Sequence, residues 1–545
     1  MEKQILVGGA AGQGIAKTAF LIGKLFANSG YYVFNYRDYP SLIKGGHNFN
    51  ILKISDKPVY SNENYYDVII ALNQDTIDKH EEKLNEGGFV LGDKNLKAKN
   101  LLGFDLSNII EKLGGSQKLG NDILVGAFFK LFGLKIETVL KTVREIFKNE
   151  TIEKAVKEGY DLVEQKINLP EPGKKNKFFI TGNEAIASGA IVSGIDVYFA
   201  YPITPATPVL HILASKQLEH NFMVVQPENE IAVINAALGA SYAGAISMVG
   251  TSGAGFSLMN EAISLQGISE IPLVLYLSQR TGPATGVPTY NSQGDLKFAL
   301  NAGHGEFPRV VVAPGDSKEC FYRTIESFYL SYKYRILSII LGDKHVGESN
   351  YSFDDFEEPK IKPSRFIASP AEDSKSYLIT ENGVSPRFVP GEKAKSRASS
   401  YEHNEYGYTT EKEEWIKKMN EKRFRKMKYI KEEINKMNPV SVYGEGNNLI
   451  IGWGSTKGSI LDALKKLEDF RFLQISYLSP FPTEFVKKEI ENSEELILIE
   501  NNATGLLGDV IAEQTGKIIE KKILKYDARP FTSEDIIVKV KKILK

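Results

Sequence analysis

Short apolar runs of strand length recur along the whole chain, each followed by a turn and then by a helical pattern. That alternation points to α/β architecture, because a strand that is apolar throughout must be covered on both faces and a helix after each strand supplies the cover. In the first segment the runs are Ile5–Val7, Tyr32–Phe34, Val68–Ala71 and Phe89–Leu91, with helices expected over 15–28 and 74–85. Leu169-Pro170-Glu171-Pro172-Gly173-Lys174-Lys175-Asn176-Lys177 is polar and proline-bearing and reads as a linker. A second α/β unit follows, with strands at Val197–Ala200, Met223–Val225, Ile246–Val249, Leu273–Leu277, Val310–Val312 and Leu337–Leu341. From about 346 to 410 the chain is rich in Pro, Ser and acidic residues and reads as irregular. Residues 411–437 then form a helix with Ile416, Met419, Met427, Ile430, Ile434 and Met437 near one face. Strands at Leu449–Gly452, Arg471–Ile475 and Leu496–Glu500 mark a third unit. The expectation is three doubly wound units, 1–168, 178–345 and 440–545, joined by a linker at 169–177 and an irregular connection with an amphipathic helix at 346–439.

The length, 545 residues, fits three or four domains. Charge nearly cancels, with 67 basic and 68 acidic residues, so no nucleic-acid or membrane-surface footprint is present. No apolar run reaches the ~18 residues of a membrane span and no charged-then-apolar leader opens the chain, so a soluble cytoplasmic protein is expected. One cysteine, Cys320, excludes an intrachain disulfide framework, a cysteine-rich zinc site and any cluster held by several cysteines of this chain. Its surroundings, Lys318-Glu319-Cys320-Phe321-Tyr322, read as ordinary helix carrying an inert thiol. The seven histidines are scattered, and no metal held by side chains alone is expected. The 411–437 helix carries ten basic and six acidic residues, which fits either a solvated face on a packed helix or a docking surface for an acidic partner.

Two regions carry residue types suited to chemistry. Gly8-Gly9-Ala10-Ala11-Gly12-Gln13-Gly14 follows the first strand and opens a helix. Small residues there let backbone amides approach an anion, but the same glycines also serve a tight strand-to-helix turn. Neither the Gly-x-Gly-x-x-Gly order nor a P-loop Lys-Ser/Thr is present, which disfavours a nucleotide-binding dehydrogenase. Lys44-Gly45-Gly46-His47 is a second glycine turn, and its histidine reads as a hydrogen-bonded turn residue.

In the second unit, polar groups follow the carboxyl ends of expected parallel strands, where open α/β sheets bind ligands. They are Tyr201-Pro202-Ile203-Thr204-Pro205, Gln226-Pro227-Glu228-Asn229-Glu230, Gly250-Thr251-Ser252-Gly253-Ala254-Gly255 and the segment from Ser278 through Arg280 to Gly286. Prolines bracket Thr204 and fix its backbone. Glu228 and Glu230 are also common helix-start acids, whereas Arg280 offers a planar fork that matches a carboxylate.

These motifs in this order resemble the alpha subunit of 2-oxoacid:ferredoxin oxidoreductases. The resemblance extends to Ala302-Gly303-His304-Gly305-Glu306-Phe307-Pro308, Ser385-Pro386-Arg387, Glu402-His403-Asn404-Glu405-Tyr406-Gly407, Glu500-Asn501-Asn502-Ala503-Thr504-Gly505 and Arg529-Pro530-Phe531-Thr532. The N-terminal unit is similar to that family's gamma domain, fused ahead of alpha. Ala284 and Ala206-Thr207 depart from the pattern, standing where serine-containing variants occur. The resemblance implies a gamma-like domain, a pyrimidine-side thiamine-diphosphate-type domain and a transketolase C-terminal-like domain. It implies oxidative decarboxylation of a 2-oxoacid on thiamine diphosphate, electron transfer through a 4Fe–4S cluster to ferredoxin, and acyl-CoA formation from coenzyme A.

This chain has no Gly-Asp-Gly…Asn motif and one cysteine, so the resemblance implies that the diphosphate, magnesium and cluster sites belong to a separate beta subunit, with a dimer of heterodimers expected. By the same resemblance, Glu230 is the catalytic residue that hydrogen-bonds the pyrimidine nitrogen N1′. Thr204 and Arg280 bind the oxoacid carboxylate, and Pro202, Thr251, Gly12 and Gly14 contact cofactor. The fused order favours 2-oxoglutarate or a broad substrate range over a pyruvate- or branched-chain-specific member. A non-catalytic regulator on the same folds is the rival, and the presence of Glu230 and Arg280 speaks against it.

Overall fold

The computed structural model describes residues 2–544 apart from 43, 44, 174, 392 and 394. Lys44 of the glycine turn and Lys174 of the linker therefore lie outside the described residues. The chain forms two compact units: Met1–Thr181 with Glu348–Phe356 and Thr532–Val538, and Gly182–Gly347 with Glu357–Phe531 and Lys539–Lys545. Among the described residues no helix is long and apolar enough to cross a membrane.

The first unit is built on an eight-stranded sheet. Its central strand, Glu2–Ala10, is buried because Ile5, Leu6 and Val7 are apolar in succession and covered on both faces. On one side it runs parallel to Tyr66–Ala71, which leads on to Leu84–Asp93 and Leu101–Phe104, also parallel. On the other side it pairs antiparallel with His47–Ser55, in the register Ile5↔Leu52, and that strand pairs antiparallel with Tyr32–Asp38. The alternation of strands and helices in this segment argues a parallel, doubly wound sheet, and the antiparallel strand His47–Ser55 departs from it. That strand contains Asn48, Asn50 and Lys53, and Lys53 is buried between Glu63 at 3.2 Å and Glu2 at 3.0 Å. The expected 74–85 helix stops at His80, a short turn covers Glu81–Lys83, and Leu84 already belongs to a strand.

The helix Ile15–Asn28 places Ile15, Ala19, Ile22 and Phe26 on one face at spacings of three and four residues, against the sheet. Phe26 is enclosed by Tyr31, Phe128, Phe129 and Phe132 at ring-centroid distances of 5.6–6.1 Å. Phe178–Thr181 was expected to open the second unit but closes the first sheet instead. It pairs antiparallel with Asn350–Phe353, a strand inside the segment expected to be irregular. Phe179 explains the placement, because its ring lies where a β-carbon on Gly23 would come within 2.4 Å.

The second unit holds a seven-stranded and a five-stranded sheet. In the former, the strands run in the order Tyr477–Ser479, Arg309–Val312, Leu337–Asp343, Leu273–Gln279, Ser247–Thr251, Val197–Phe199 and Met223–Val225. All are parallel except Tyr477–Ser479. The five-stranded sheet runs Val440–Tyr443, Phe470–Ile475, Asn448–Gly452, Leu496–Glu500 and Lys521–Leu524. The segment 440–545 is thus not a separate compact body. Its Tyr477–Ser479 strand joins the larger sheet, and Trp453, Leu473, Ile475 and Phe481 share one core with Leu277, Ile339 and Leu341.

The helix Glu413–Ile434 departs most from its sequence reading. Met419, Ile430 and Ile434 are buried as expected, but so are Lys422, Arg423 and Lys426, whereas Ile416 is exposed. Lys422 reaches Glu270 Oε1 at 2.6 Å, Lys426 holds Oε2, and Arg423 pairs with Glu402 at 2.6 Å. Burial raises the Glu270 carboxyl, but Lys422, Lys426 and Arg335 outweigh it and hold the group well below the usual carboxylate range. Cys320 is fully buried, and burial pushes its thiol well above the ordinary value, which suits an inert side chain.

Candidate active site

In the seven-stranded sheet the chain runs from Val197–Phe199 outward to Met223–Val225 and then returns to the opposite neighbour, Ser247–Thr251. The order therefore reverses beside Val197–Phe199, and open α/β sheets bind ligands at the carboxyl ends of strands at such a point. Thr204 and Glu230 follow Val197–Phe199 and Met223–Val225, Thr251 ends Ser247–Thr251, and Arg280 follows the next strand of the sheet, Leu273–Gln279.

After Phe199 the chain leaves the sheet through Pro202, which is exposed and lacks an N–H, and turns back at Ile203, whose carbonyl accepts from Ala206 and Thr207. The turn directs the Thr204 carbonyl at Arg280, whose Nη1 donates to it at 2.8 Å. Among the described residues nothing accepts from Arg280 Nε or Nη2. Burial lowers the Arg280 pKa from its high ordinary value and Asp295 opposes that shift, so the group stays cationic. An anchored guanidinium with spare N–H groups is suited to a two-point contact with a carboxylate.

The helix Glu230–Tyr242 starts at Asn229, whose Oδ1 accepts from the Ala232 N–H at 3.0 Å. Its first residue, Glu230, is 6% exposed, whereas Glu228 is exposed, so the fold separates two carboxylates that sequence alone leaves equivalent. Glu230 lies against Gly255, where a β-carbon would come 2.5 Å from Oε1 and 2.2 Å from Thr251 Oγ1. Only glycine admits that approach. Among the described residues no donor satisfies the Glu230 carboxylate. Ser252 Oγ, in the same turn, is buried without a partner. This turn carries an unpartnered hydroxyl and packs against a buried carboxylate through the bare backbone of Gly255, an arrangement suited to a hydrogen bond with a ligand base.

Asp295 was missed by the sequence reading. Its N–H donates to Gln279 Oε1 at 3.0 Å, and its carboxylate lies beside Gly253, where a β-carbon would come 2.9 Å from Oδ2. The available signal was that Asp295 is the one acidic residue between Arg280 and Glu306. The loop carrying it is braced by Asn501 and Asn502. Gln293 N donates to Asn501 O at 2.8 Å, Asn501 N donates to Gln293 Oε1 at 2.8 Å, and Asn502 Nδ2 donates to Gln293 O at 3.1 Å. Ala284 is exposed with a left-handed φ of 54°, and Ala206 is buried at the head of its helix.

Gly12 and Gly14 belong to the first unit. Their φ values of 91° and 85° make the turn into the Ile15–Asn28 helix, and nothing lies within 4 Å of where a Gly12 β-carbon would be. They border a cleft of about 280 Å³ also lined by Lys17, Arg37, Tyr39 and Asn50. His47 opens a strand, and its Nε2 lies 2.8 Å from His80 Nε2, a hydrogen-bonded histidine as expected.

Two family models match the chain. Residues 4–162 match pyruvate ferredoxin/flavodoxin oxidoreductase, and 188–421 match the thiamine-diphosphate-binding part of pyruvate flavodoxin/ferredoxin oxidoreductase. The 2-oxoacid:ferredoxin oxidoreductase subunit alpha of a Sulfolobus species is 33% identical, over 100% of this chain and 97% of that protein. The 2-oxoglutarate synthase subunit KorA of Archaeoglobus fulgidus is 32% identical over 61% of this chain and 89% of its own length. Among solved structures, the 2-oxoglutarate:ferredoxin oxidoreductase from Magnetococcus marinus, with 2-oxoglutarate, coenzyme A and succinyl-CoA bound, matches with a TM-score of 0.89 and 28% identity, covering 100% of both chains.

Proposed function

Because the chain belongs to the family of 2-oxoacid:ferredoxin oxidoreductase alpha subunits, we propose that it is the gamma–alpha fused subunit of an enzyme that oxidatively decarboxylates a 2-oxoacid with coenzyme A, yielding acyl-CoA, CO2 and reduced ferredoxin. The observation that carries this reading is the meeting of Glu230, Thr251 and Gly255 at the reversal of the strand order, with Arg280 anchored on Thr204 beside it. The preferred substrate is 2-oxoglutarate or a range that includes it, supported by the names of the Archaeoglobus and Magnetococcus relatives.

The residues present fit thiamine diphosphate on the pyrimidine side: the Glu230 carboxylate packs against the bare backbone of Gly255 and lacks a donor among the described residues, and Ser252 Oγ is unpartnered. When bound, that cofactor supplies the carbanion chemistry of 2-oxoacid decarboxylation. Glu230 shares a proton with pyrimidine N1′, and its burial keeps water from competing for that proton. Pro202 and Thr251 contact the ring's surroundings. Arg280, steadied by the Thr204 carbonyl, takes the oxoacid carboxylate through Nε and Nη2, and Thr204 helps to hold it. In the first unit, Gly12 and Gly14 receive an anionic group of a cofactor, aided by Lys17 and Arg37. Magnesium and the 4Fe–4S cluster are assigned to a beta subunit, since Cys320 alone cannot hold a cysteine-ligated cluster and the Gly-Asp-Gly…Asn motif is absent.

Arg280→Lys tests the substrate half of this reading. Lysine keeps the charge and loses the planar fork. A charge-assisted hydrogen bond contributes about 1.5–3 kcal/mol, so kcat/KM for pyruvate, 2-oxoglutarate and a branched-chain oxoacid should fall roughly ten- to a hundredfold, with thiamine diphosphate binding retained. Unchanged kinetics for every oxoacid would remove Arg280 from the site, and the ranking of the three acids in the unaltered enzyme tests the substrate preference.

A further inference from the structure

Asp295 has no part in the mechanism above, yet its backbone N–H is held by the side chain of Gln279, the residue before the substrate-binding Arg280. Its Oδ2 is shut off from solvent and has no hydrogen-bond partner, while its backbone is fixed by Gln279 on one side and by the Ala299 N–H, which donates to its carbonyl at 2.8 Å, on the other. It feels the Arg280 charge but forms no ion pair with it, because Arg280 is turned onto the Thr204 carbonyl instead. Asp295 therefore does not orient the guanidinium; it acts on it through space.

The other elements packed around it leave this pairing isolated. Strand Leu273–Gln279, turn 251–258 and loop 281–294 contain no charged residue. Lys297, on the helix that Asp295 begins, is paired with Asp509, and Glu230 lies against Gly255, two residues beyond the glycine that Asp295 touches.

We propose that Asp295 is the counter-anion of Arg280 in the substrate-free site and must take up a proton when an oxoacid carboxylate binds there. Two anions near one half-buried guanidinium repel each other, and protonation of Asp295 removes the repulsion. Burial, with Arg280 opposing it, pushes the Asp295 carboxyl up to about 6, so the group can change charge near neutral pH. The sign follows: below about pH 6 Asp295 is neutral and the carboxylate is accepted readily, and above it the anion competes. Asp295 thus sets the pH range of substrate capture by acting through Arg280, not on the reacting atoms. The inference rests on the reading of Arg280 as the carboxylate-binding residue.

The test uses the assembled enzyme with its beta subunit. For 2-oxoglutarate, KM should rise about tenfold between pH 5.5 and 7.5, the order expected for one screened unit charge, with kcat far less affected. Asp295→Asn should hold KM low across that range, and Asp295→Glu should restore the rise. Calorimetry of the unaltered enzyme with 2-hydroxyglutarate, in phosphate and in Tris at pH 7, should show uptake of about 0.4 proton per bound ligand, the amount that a tenfold change in affinity implies for a group titrating near 6, and this reading does not depend on a variant folding. A KM rise that persists in Asp295→Asn, or binding without proton uptake, would overturn the inference while leaving Arg280 in its role. An unchanged KM in Arg280→Lys would overturn both.

Discussion

Replacing Glu230 with glutamine should lower turnover of the assembled enzyme by at least the ~10²-fold typical of a positioned acid–base group, without unfolding it. Glutamine keeps the shape that fits against Gly255 and Thr251 but has no carboxyl proton to share with a pyrimidine nitrogen. The control is Glu228→Gln. Glu228 is exposed two residues earlier at the same helix start, so a capping or dipole role predicts similar small effects for both, about 0.3–1 kcal/mol. Exchange of the C2 proton of bound thiamine diphosphate, followed by NMR without substrate, separates the cases. Slow exchange only in Glu230→Gln supports the assignment, slow exchange only in Glu228→Gln transfers the role to that carboxylate, and normal exchange in both moves it to the partner chain.

Glu270→Ala should cost the second unit about 3–5 kcal/mol, the usual consequence of removing one partner from a buried ion pair. Glu270 is 2% exposed and accepts from Lys422 and Lys426, which are themselves buried on the inner face of helix Glu413–Ile434. Without it both lysines must either lose their protons or leave the interior, and the helix loses its charged anchor. A denaturant titration should show an earlier transition in the variant. Glu219→Ala, which breaks the exposed Lys216–Glu219 pair, should leave the midpoint where it is. A midpoint unmoved by Glu270→Ala would mean that the cluster contributes nothing to holding the helix.

What the sequence exposes and what it hides follow from burial on one face or two. Strands such as Leu273–Gln279 and Leu337–Asp343 are legible because both faces are covered and every position before the last is apolar or small. His47–Ser55 was not, because a buried Lys53 held by two glutamates breaks the apolar pattern. Lys521–Leu524 escaped as an edge strand that begins with two lysines, and Phe178–Thr181 and Asn350–Phe353 because they find each other across 170 residues of chain. Lys422, Arg423 and Lys426 read as solvated for the same reason that Lys53 did: charge implies exposure until a specific partner is known.

The candidate site residues were chosen by their place in the chain rather than by any contact. Pro202, Thr204, Glu230, Thr251 and Arg280 are marked by their position after successive strands, and the parallel sheet brings those strand ends to one edge. The contact between Arg280 and the Thr204 carbonyl was not legible, since a backbone acceptor leaves no trace in residue identity. Asp295 escaped because one aspartate before a short helix looks like a cap.

The most direct test of the account is oxoacid-dependent dye reduction and iron content, measured on this chain alone and after mixing it with a partner chain that carries the cysteines and Gly-Asp-Gly motif it lacks. The account predicts a colourless, inactive chain that gains coenzyme A-dependent turnover only in the mixture. Iron near four atoms per chain, the content of one 4Fe–4S cluster, or turnover without the partner, would contradict it.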